Sequence, residues 1–534
     1  MRDTLMPLGN RNSQHSFAQV PNVNTQRSVF DRSFTIKDTF DFDYLIPIYC
    51  DEVLPGDTVN LNVQSFARLA TQTKPLMDNM YIDYFFFFVP NRLVWNNWHK
   101  FLGAQDDPGD SIDFTIPTVT YDGTQGSGEG DVGTIYDKFG LPVGINGVTV
   151  NALPLRAYQL IWNEWFRDQN LQDSIVVAKD DGLDTSTNYT LLKRAKKHDY
   201  FTSALPWPQK GDAVDLPLGT TAPVYGDGTT IVAKGATENV DRNLGIQSAD
   251  QELYMLGFAG AGNETLLFSE TNSSLYTDLA NATAATVNDL RLAFMVQGLL
   301  ELDARGGTRI NEIIKAHFNV QVPDFRVQRP EFLSAASTMI NQHPIPQTSE
   351  TNTTFQADLA AFSTAGSSSQ VGFSKSFTEH GYVIGLAQAR ADITYQYGLN
   401  KMWSRSTRYD FFWPKLAELG EQVVTNGEVY YQGTAADDQP WGYQERYSEY
   451  RYKPSEIRGQ FRSVFTSSLD IWHLAEEHLS AFNLNDAFIQ SNTPIERNLA
   501  VPASYPHILF DCFFKQKHVR PMPVYGVPAT LGRF

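Results

Sequence analysis

A string of histidines and carboxylates near residue 475 has the ligand types of a zinc site. It reads HLAEEH at residues 473–478, and imidazole and carboxylate groups are common zinc ligands. A helical zinc site needs its histidines four residues apart, so that both lie on one face. Here they are five apart, which rotates the second by about 140° at 100° per residue. We predict a partly buried polar segment and no metal site.

The stretch 443–462 mixes tyrosines with positively charged residues. Aromatic rings combined with cations bind single-stranded nucleic acid by stacking and charge neutralisation. Three glutamates offset three of its five positive charges, and alternating Tyr and Arg also suit a strand at a contact between protein subunits. We favour the subunit contact and keep nucleic-acid binding as the alternative. The candidate interface residues are Tyr443, Arg446, Tyr447, Tyr450, Arg451 and Tyr452.

No residue set in the sequence predicts catalysis. Gly128, Gly130 and Gly133 have the spacing of a dinucleotide fingerprint, but acidic residues between them would repel a phosphate and no helix is predicted to follow. Cys50 and Cys512 are far apart, have no metal-ligand spacing and are typical of a reducing compartment. We therefore predict a protein that is not an enzyme and has no cofactor.

Charge is distributed unevenly along the chain. The sequence has 42 Lys and Arg against 60 Asp and Glu, a net charge of −18, which excludes a basic nucleic-acid reader. Residues 101–300 hold 26 acids and 12 bases, whereas both ends are basic. We predict a basic N-terminal arm (residues 1–33) and a basic C-terminal tail (residues 512–534). Charge alone favours simple solubility for both, with a polyanion as partner as the alternative. The candidate polyanion-facing residues are Arg2, Arg11, Arg27, Arg32, Lys515, Lys517, Arg520 and Arg533.

The elements that must position these residues are mainly strands. The sequence has 9 Trp, 24 Tyr and 35 Phe, and aromatic side chains favour half-buried sheets. Strict alternation of apolar and polar residues, or short apolar runs, predicts strands at each end of the chain. The predicted strands are Phe34–Tyr44, one through Val59–Val63, Met80–Val89 ended by Pro90, Tyr382–Ala389, Tyr443–Phe461 and His507–Phe514.

Helices and a long insertion are predicted between these strands. An apolar stripe at helical spacing runs from Leu155 to Asp168, a second helix covers Val287–Leu302, and Thr308 begins a short third helix ending at Phe318. Residues 216–288 are rich in Gly, Thr, Ala and Asn and have weak periodicity. We predict that this segment is a surface insertion.

Two observations argue against a membrane or secreted protein. Residues 1–20 contain no apolar core of signal-peptide length. The most apolar stretch, residues 84–89, has six residues, whereas a membrane helix needs about 20. We predict a protein that does not insert into a membrane.

Ten short strings occur in a fixed order along the chain. They are YLIP at 44–47, DEVLPGD at 51–57, MDN at 77–79, FFFVPNRLVW at 86–95, NALP at 151–154, NEWFRDQN at 163–170, DARGGTR at 303–309, SKSFTEHG at 374–381, GYQERY at 442–447 and RPMPVY at 520–525. In this order they closely resemble the major capsid protein of microviruses, specifically its gokushovirus branch. The resemblance extends over nearly the whole chain and weakens between about 216 and 288.

The resemblance implies an all-β fold, an eight-stranded antiparallel jelly roll with long loop insertions and a few helices, formed by residues 34–534 as one domain. It implies assembly into a T=1 icosahedral shell around circular single-stranded DNA, with a threefold surface protrusion for which 216–288 is the candidate. The implied partners are other copies of the chain, a small basic packaging protein, the DNA and a host receptor. The location is the virion, assembled in the bacterial cytoplasm.

One structural consequence and one alternative follow. In a jelly roll the last strand can lie beside the first, so we expect Phe34–Tyr44 next to His507–Phe514. The alternative function is a carbohydrate-binding or glycan-degrading β protein such as a phage receptor-binding subunit, because exposed aromatic rings and carboxylates also suit sugars. The ordered strings argue against that alternative.

Overall fold

The computed structural model describes residues 26–126, 128–215, 286–346, 348–350, 355–356, 371–477 and 483–526, together with the backbone of short strands between 224 and 277 and of residues 359–365. Contacts divide the chain into two compact units. We call Met1–Pro206 with Asn319–Phe534 the main unit, and Trp207–Phe318 the inserted unit.

Strands dominate the described part of the chain. In chain order they are β1 (Ser28–Asp31), β2 (Phe34–Phe40), β3 (Ile46–Val53), β4 (Thr58–Leu69), β5 (Met80–Pro90), β6 (Thr118–Asp122), β7 (Asn146–Asn151), β8 (Val224–Gly226), β9 (Val232–Gly235), β10 (Asp241–Asn243), β11 (Leu266–Phe268), β12 (Leu275–Thr277), β13 (Glu331–Pro346), β14 (Leu359–Ala365), β15 (Val371–Ser376), β16 (Gly381–Ala391), β17 (Glu421–Thr425), β18 (Pro440–Glu445) and β19 (Ile508–Arg520).

The helices are fewer and mostly short. They are α1 (Asn91–Val94), α2 (Trp98–Phe101), α3 (Ile135–Lys138), α4 (Leu153–Ile161), α5 (Val287–Arg305), α6 (Ile310–Phe318), α7 (Asn426–Val429) and α8 (Asp486–Ile489). A π-helical turn, Trp162–Phe166, continues α4. Single 3₁₀ turns are Ser186–Asn188, Lys401–Trp403, Pro414–Leu416, Ala435–Asp438, Ser448–Tyr450, Gly459–Phe461, Asp470–Trp472 and Ile495–Arg497.

Two five-stranded antiparallel sheets form the centre of the main unit, which also has the two-stranded sheets β6-β7 and β17-β18. In the first sheet β19 lies between β4 on one side and β1 and β2 on the other, and β15 follows β4. Phe34 is opposite Phe514 and Phe40 is opposite Ile508, so the expected pairing of the two chain ends is confirmed. The second sheet has the order β14-β13-β5-β16-β3. The centre of the main unit is therefore a β-sandwich.

The core of the sandwich follows from strand periodicity. Val59, Leu61 and Val63 of β4 point inward and are buried, whereas Asn60 and Gln64 of the same strand are exposed. Successive side chains of a strand point to opposite faces, so one face of the first sheet enters the core and the other meets solvent.

Strand β5 is apolar on both faces because both are covered, as its sequence predicted. Phe86 points into the sandwich, where its ring lies 6.2 Å from that of Tyr49. Phe87 points the other way and its ring lies 5.7 Å from Phe166 of the π turn. The helix before that turn is fixed to the sheet by Tyr158, whose hydroxyl donates to Leu45 O at 2.9 Å.

Two strand predictions were wrong in part. The strand from Phe34 ends at Phe40, because Asp43 has a positive φ of 74° and its carboxylate accepts from Thr493 N at 2.6 Å. The predicted strand Tyr443–Phe461 ends at Glu445. Tyr447 adopts a left-handed φ of 64°, which a continuous strand does not tolerate, and 3₁₀ turns follow it.

In the inserted unit, the two helices predicted from the sequence are present. Thr286 and Asp289 form a capping box at the start of α5, which extends to Arg305. The second helix, α6, ends at Phe318. His317 of α6 lies 2.7 Å from the Asp303 carboxylate of α5. Most of the predicted 216–288 insertion lies outside the described residues.

Among the helices of the described ranges, none combines the length and apolar character needed to cross a bilayer.

Candidate functional site

The predicted polyanion-facing residues lie in different environments. Arg2, Arg11 and Arg533 are outside the described residues. Arg27 donates to the Gly56 carbonyl at 2.6 Å and to the Thr58 hydroxyl at 3.1 Å. Its guanidinium is therefore held against the sheet by contacts within the subunit.

Arg32 and Arg520 belong to a cluster of charged groups at one end of the first sheet. Arg32 forms an ion pair with Asp51 at 2.7 Å, and Arg520 Nε lies 3.0 Å from Asp57. His518, fully buried, places its Nε2 3.4 Å from the Asp51 carboxylate. Both arginines thus have carboxylate partners inside the subunit.

This cluster makes stability depend on pH. Burial, followed by repulsion from Arg520 and Arg32, lowers the pKa of His518 to about 4 despite the opposing effect of Asp51. An unfolded histidine titrates near 6.5, so the folded state disfavours the charged form. Its contribution is fully present above about pH 6.5 and is lost as pH falls toward 4.

We expect acidification from pH 7 to pH 4.5 to cost stability of up to about 3 kcal/mol through His518. Urea denaturation of wild type and His518→Gln at both pH values measures it. The free energy of unfolding should change less between the two pH values in the variant than in wild type, because glutamine has a polar side chain that does not titrate. An unchanged difference would exclude His518 as the group responsible.

Lys515 and Lys517 lie on the exposed face of β19. They alternate with the buried Gln516 and His518, and β4 places Asn62 and Asn60 opposite them. The predicted tail is thus part of the sheet as far as Arg520.

The same face of the first sheet carries further cations and rings, with two carboxylates. Lys37 and Asp511 form an ion pair at 2.7 Å, and Phe66 is 53% exposed. We call the outward side of β1, β2, β4 and β19 the lysine face. Its charged and aromatic residues are Asp31, Lys37, Phe66, Arg68, Asp511, Phe513, Lys515 and Lys517.

The candidate interface residues of the Tyr/Arg stretch divide into buried and exposed side chains. Tyr447 is buried and its hydroxyl donates to Tyr409 O at 3.2 Å. Tyr452 is half-buried and stacks on Tyr200 at 6.0 Å, while Tyr443 is half-buried in β18. The side chains of Tyr447 and Tyr452 thus have contacts within the subunit, and Tyr443 is held in its sheet by pairing with Val423.

The remaining three are closer to the surface. Tyr450 is 49% exposed, Arg451 is exposed and pairs with Glu445, and the guanidinium of Arg446 lies 5.0 Å from the Tyr447 ring. Of the six candidates, Tyr450 and Arg451 present the most surface to a partner.

The exposed aromatic residues between 403 and 413, which the structure groups with Tyr450 through Phe412 and Arg405, were missed by the sequence reasoning. We call this group the aromatic patch. Its members are Trp403, Tyr409, Phe411, Phe412, Trp413 and Tyr450, each about half exposed or more. The sequence around these residues has neither helical nor strand periodicity, so periodicity alone does not identify the patch. The signal was present as the run Phe411-Phe412-Trp413 directly after Asp410.

The string HLAEEH has other roles in the structure. His473 is buried, with Nε2 2.7 Å from Phe461 O, and Glu476 forms an ion pair with Lys196 at 2.6 Å. His478 lies outside the described residues. Within the ranges that the structure covers, no three His, Cys, Asp or Glu side chains are grouped as metal ligands would be.

These observations define a class of protein. The main unit has two packed antiparallel sheets and broad exposed surfaces of rings and paired charges. These features are typical of a structural β-sandwich subunit that acts through contacts with other macromolecules.

Comparison with known proteins agrees with this class. Residues 18–530 match a family described as capsid protein (F protein). The chain is 54% identical over 542 residues to capsid protein VP1 of Bdellovibrio phage phiMH2K, covering 99% of this chain and 100% of the relative. It is 39% identical to VP1 of Chlamydia phage 1 and 36% identical to VP1 of Spiroplasma virus 4, each over 96% of this chain and 97% of the relative.

The chain belongs to this capsid protein family. The resemblance to gokushovirus major capsid proteins is confirmed, as are the structural role in a virus particle and the prediction that the protein is not an enzyme. The carbohydrate-binding alternative has no support among these relatives.

Proposed function

We propose that the protein assembles into a T=1 icosahedral shell around circular single-stranded DNA. The observation that carries this proposal is the strand order of the two sheets. Taking β1 and β2 as one interrupted strand and leaving the edge strand β14 aside, the orders β2-β19-β4-β15 and β3-β16-β5-β13 support an eight-stranded jelly roll, in which strands alternate between two sheets. The jelly roll is a recurrent architecture of viral coats.

Electron microscopy of the purified full-length protein and of infected-cell lysate tests the shell. Small, regular isometric particles of uniform diameter are expected. Soluble monomers with affinity for glycans, in the absence of particles, would contradict the proposal and favour a receptor-binding β protein.

The lysine face is the proposed DNA-facing surface. Lys515 and Lys517 are exposed on it, Arg68 is exposed on the neighbouring strand, and Phe66 and Phe513 supply rings on which bases can stack. Arg27, Arg32 and Arg520 have partners within the subunit, so they contribute less to DNA contact. Arg2, Arg11 and Arg533 remain candidates from the basic chain ends.

Removing the two lysine charges should weaken DNA binding in a salt-dependent way. The logarithm of the binding constant falls linearly with the logarithm of the salt concentration. On single-stranded DNA, each phosphate contact that is lost makes this slope less steep by about 0.7. For Lys515→Gln/Lys517→Gln we expect the slope to fall by about 1.4 when subunits bind an oligothymidylate. Lys74→Gln, an exposed lysine in the loop after β4, is the control. Equal slopes for the double variant and wild type would contradict a genome-facing role for this face.

Residues 216–288 are the proposed threefold protrusion and host-attachment element. Support comes from α5, which follows them and exposes large apolar side chains: Leu292 and Phe294 are each 64% exposed and Met295 is 75% exposed. Monomers rarely leave such groups uncovered, and association of three copies would cover them. A host surface receptor is the proposed partner of the protrusion.

The partner expected inside the shell is a small basic packaging protein. A chain with a net charge of −18 neutralises little of the genome's phosphate charge, so a separate polycation is needed. Assembly takes place in the host bacterial cytoplasm under this proposal. DNA-filled shells formed stably by the purified protein without another basic component would exclude the need for that partner.

A further inference from the structure

The aromatic patch exposes more ring surface than an isolated subunit ordinarily leaves in water. Trp403 is 72% exposed, and the other five members lie close to half exposed. A buried aromatic side chain covers roughly 150–250 Å², so the six together leave on the order of 600 Å² uncovered. One partner in a standard interface contributes about 800 Å². The patch is thus large enough to be most of one side of a specific contact.

The patch is organised before any partner binds. Arg405 lies over the ring of Tyr450 at 4.2 Å and near Phe411 at 5.6 Å. Its guanidinium is fixed by an ion pair with Glu449 at 3.1 Å, in which both side chains are largely buried. A contact made by rings that are already ordered loses little conformational entropy on binding.

Backbone and side-chain hydrogen bonds hold the loop that carries the patch. The Asp410 carboxylate accepts from Ser406 N at 2.9 Å and from Thr407 N at 2.7 Å. Trp413 Nε1 donates to Arg408 O at 2.7 Å. The exposed rings therefore stand on a closed loop with defined geometry, as interface anchors do.

The charge around the patch selects the kind of partner. In the segment that carries the patch, Lys401, Arg405 and Arg451 each pair with a glutamate. Charges that are already paired attract the phosphates of DNA, or a strongly basic protein, only weakly. Trp, Tyr and Arg are the residues that dominate contacts between protein surfaces.

We infer that the aromatic patch is a subunit contact that takes a second copy of this chain as its partner. The inference rests on the proposed shell function, because a subunit in a closed shell is surrounded by copies of itself. It adds the location of one contact and its apolar, aromatic character. Tyr450, predicted from the sequence as an interface residue, lies within it.

The test compares assembly of wild type, Trp403→Ser/Phe411→Ser and the apolar control Trp403→Phe/Phe411→Leu, all as full-length chains. Sedimentation and electron microscopy give the subunit concentration at which shells form. We expect about a 30-fold rise for the serine variant, which corresponds to the roughly 2 kcal/mol of a hot spot. The apolar control should assemble close to the wild-type concentration. Because both side chains are exposed, thermal unfolding of unassembled subunits should be nearly equal for all three proteins.

A serine variant that assembles at the wild-type concentration would overturn the inference while leaving the shell proposal intact. If that variant also binds oligothymidylate more weakly than wild type in a filter-binding assay, the patch is assigned to DNA. If wild type itself forms no shells, the proposed function fails, and this outcome is recognised without any variant.

Discussion

We expect Arg156→Met to lower the free energy of unfolding by about 3–5 kcal/mol. Arg156 on α4 is fully buried, and its guanidinium binds both oxygens of Asp184, at 2.7 and 2.5 Å. It also donates to Val94 O at 3.1 Å and to Asp180 O at 3.0 Å. Methionine fills similar space but leaves the nearly buried Asp184 carboxylate without its cation. Urea denaturation of unassembled subunits measures the change.

A second variant at the same site separates the buried charge from surface electrostatics. Asp180 is 77% exposed, and its carboxylate lies 3.4 Å from Arg156. Asp180→Asn keeps the backbone acceptor and should cost less than about 1 kcal/mol, as exposed ion pairs usually do. Equal effects of the two substitutions would show that the Arg156–Asp184 pair does not stabilise the fold in the way we describe.

Phe86→Ala should destabilise the sandwich by a similar amount, about 3–5 kcal/mol. Phe86 is fully buried in β5, and its ring lies 5.7 Å from that of Phe373 across the sandwich. Gly385 on β16 is its paired neighbour, and a Cβ at that glycine would lie 2.6 Å from the Phe86 ring. The ring therefore fills the space that the glycine leaves, and alanine would create a cavity there.

The matched control for Phe86 is Phe66→Ala, because Phe66 is 53% exposed on β4 of the same unit. Surface substitutions of this kind usually change stability by roughly 0.5 kcal/mol or less. Phe86→Leu keeps most of the volume and should cost less than about 1.5 kcal/mol. We expect Phe86→Ala to lose the most unfolding free energy, Phe86→Leu less and Phe66→Ala the least. Urea midpoints measure this order if the dependence of the unfolding free energy on urea concentration is the same in all variants. Equal costs for Phe86→Ala and Phe66→Ala would contradict a packed core at this position.

Strands that bury one face could be predicted from the sequence, because burial imposes a period of two. Helix α5 was also predicted from the sequence, where Gly306 and Gly307 mark its C-terminal end. The stretch after Glu445 alternates in the same way without being a strand. There the backbone N–H of Tyr447 donates to the Gln422 side chain, a contact between residues 25 positions apart that no local pattern reveals.

The contacts of the candidate surfaces were less predictable than the fold. The basic residues of the chain ends were identified by charge, but whether a cation is exposed or paired depends on carboxylates distant in sequence. Asp51, for example, pairs with Arg32, whereas Lys515 lies exposed on a strand. The aromatic patch has no periodicity. Its run Phe411-Phe412-Trp413 is visible in the sequence, but only the three-dimensional structure shows that these rings are exposed.

The position of β19 has a consequence for the order in which the chain folds. The first sheet closes only when β19 enters between β2 and β4, and Phe40 pairs with Ile508, 468 residues later. At roughly 5–20 residues per second, synthesis separates these strands by about half a minute to a minute and a half. Until then the edges of β2 and β4 stay unpaired, and contacts so distant in sequence also form slowly. A nascent chain thus cannot present a finished sandwich, which restricts assembly to subunits whose synthesis has reached the last strand.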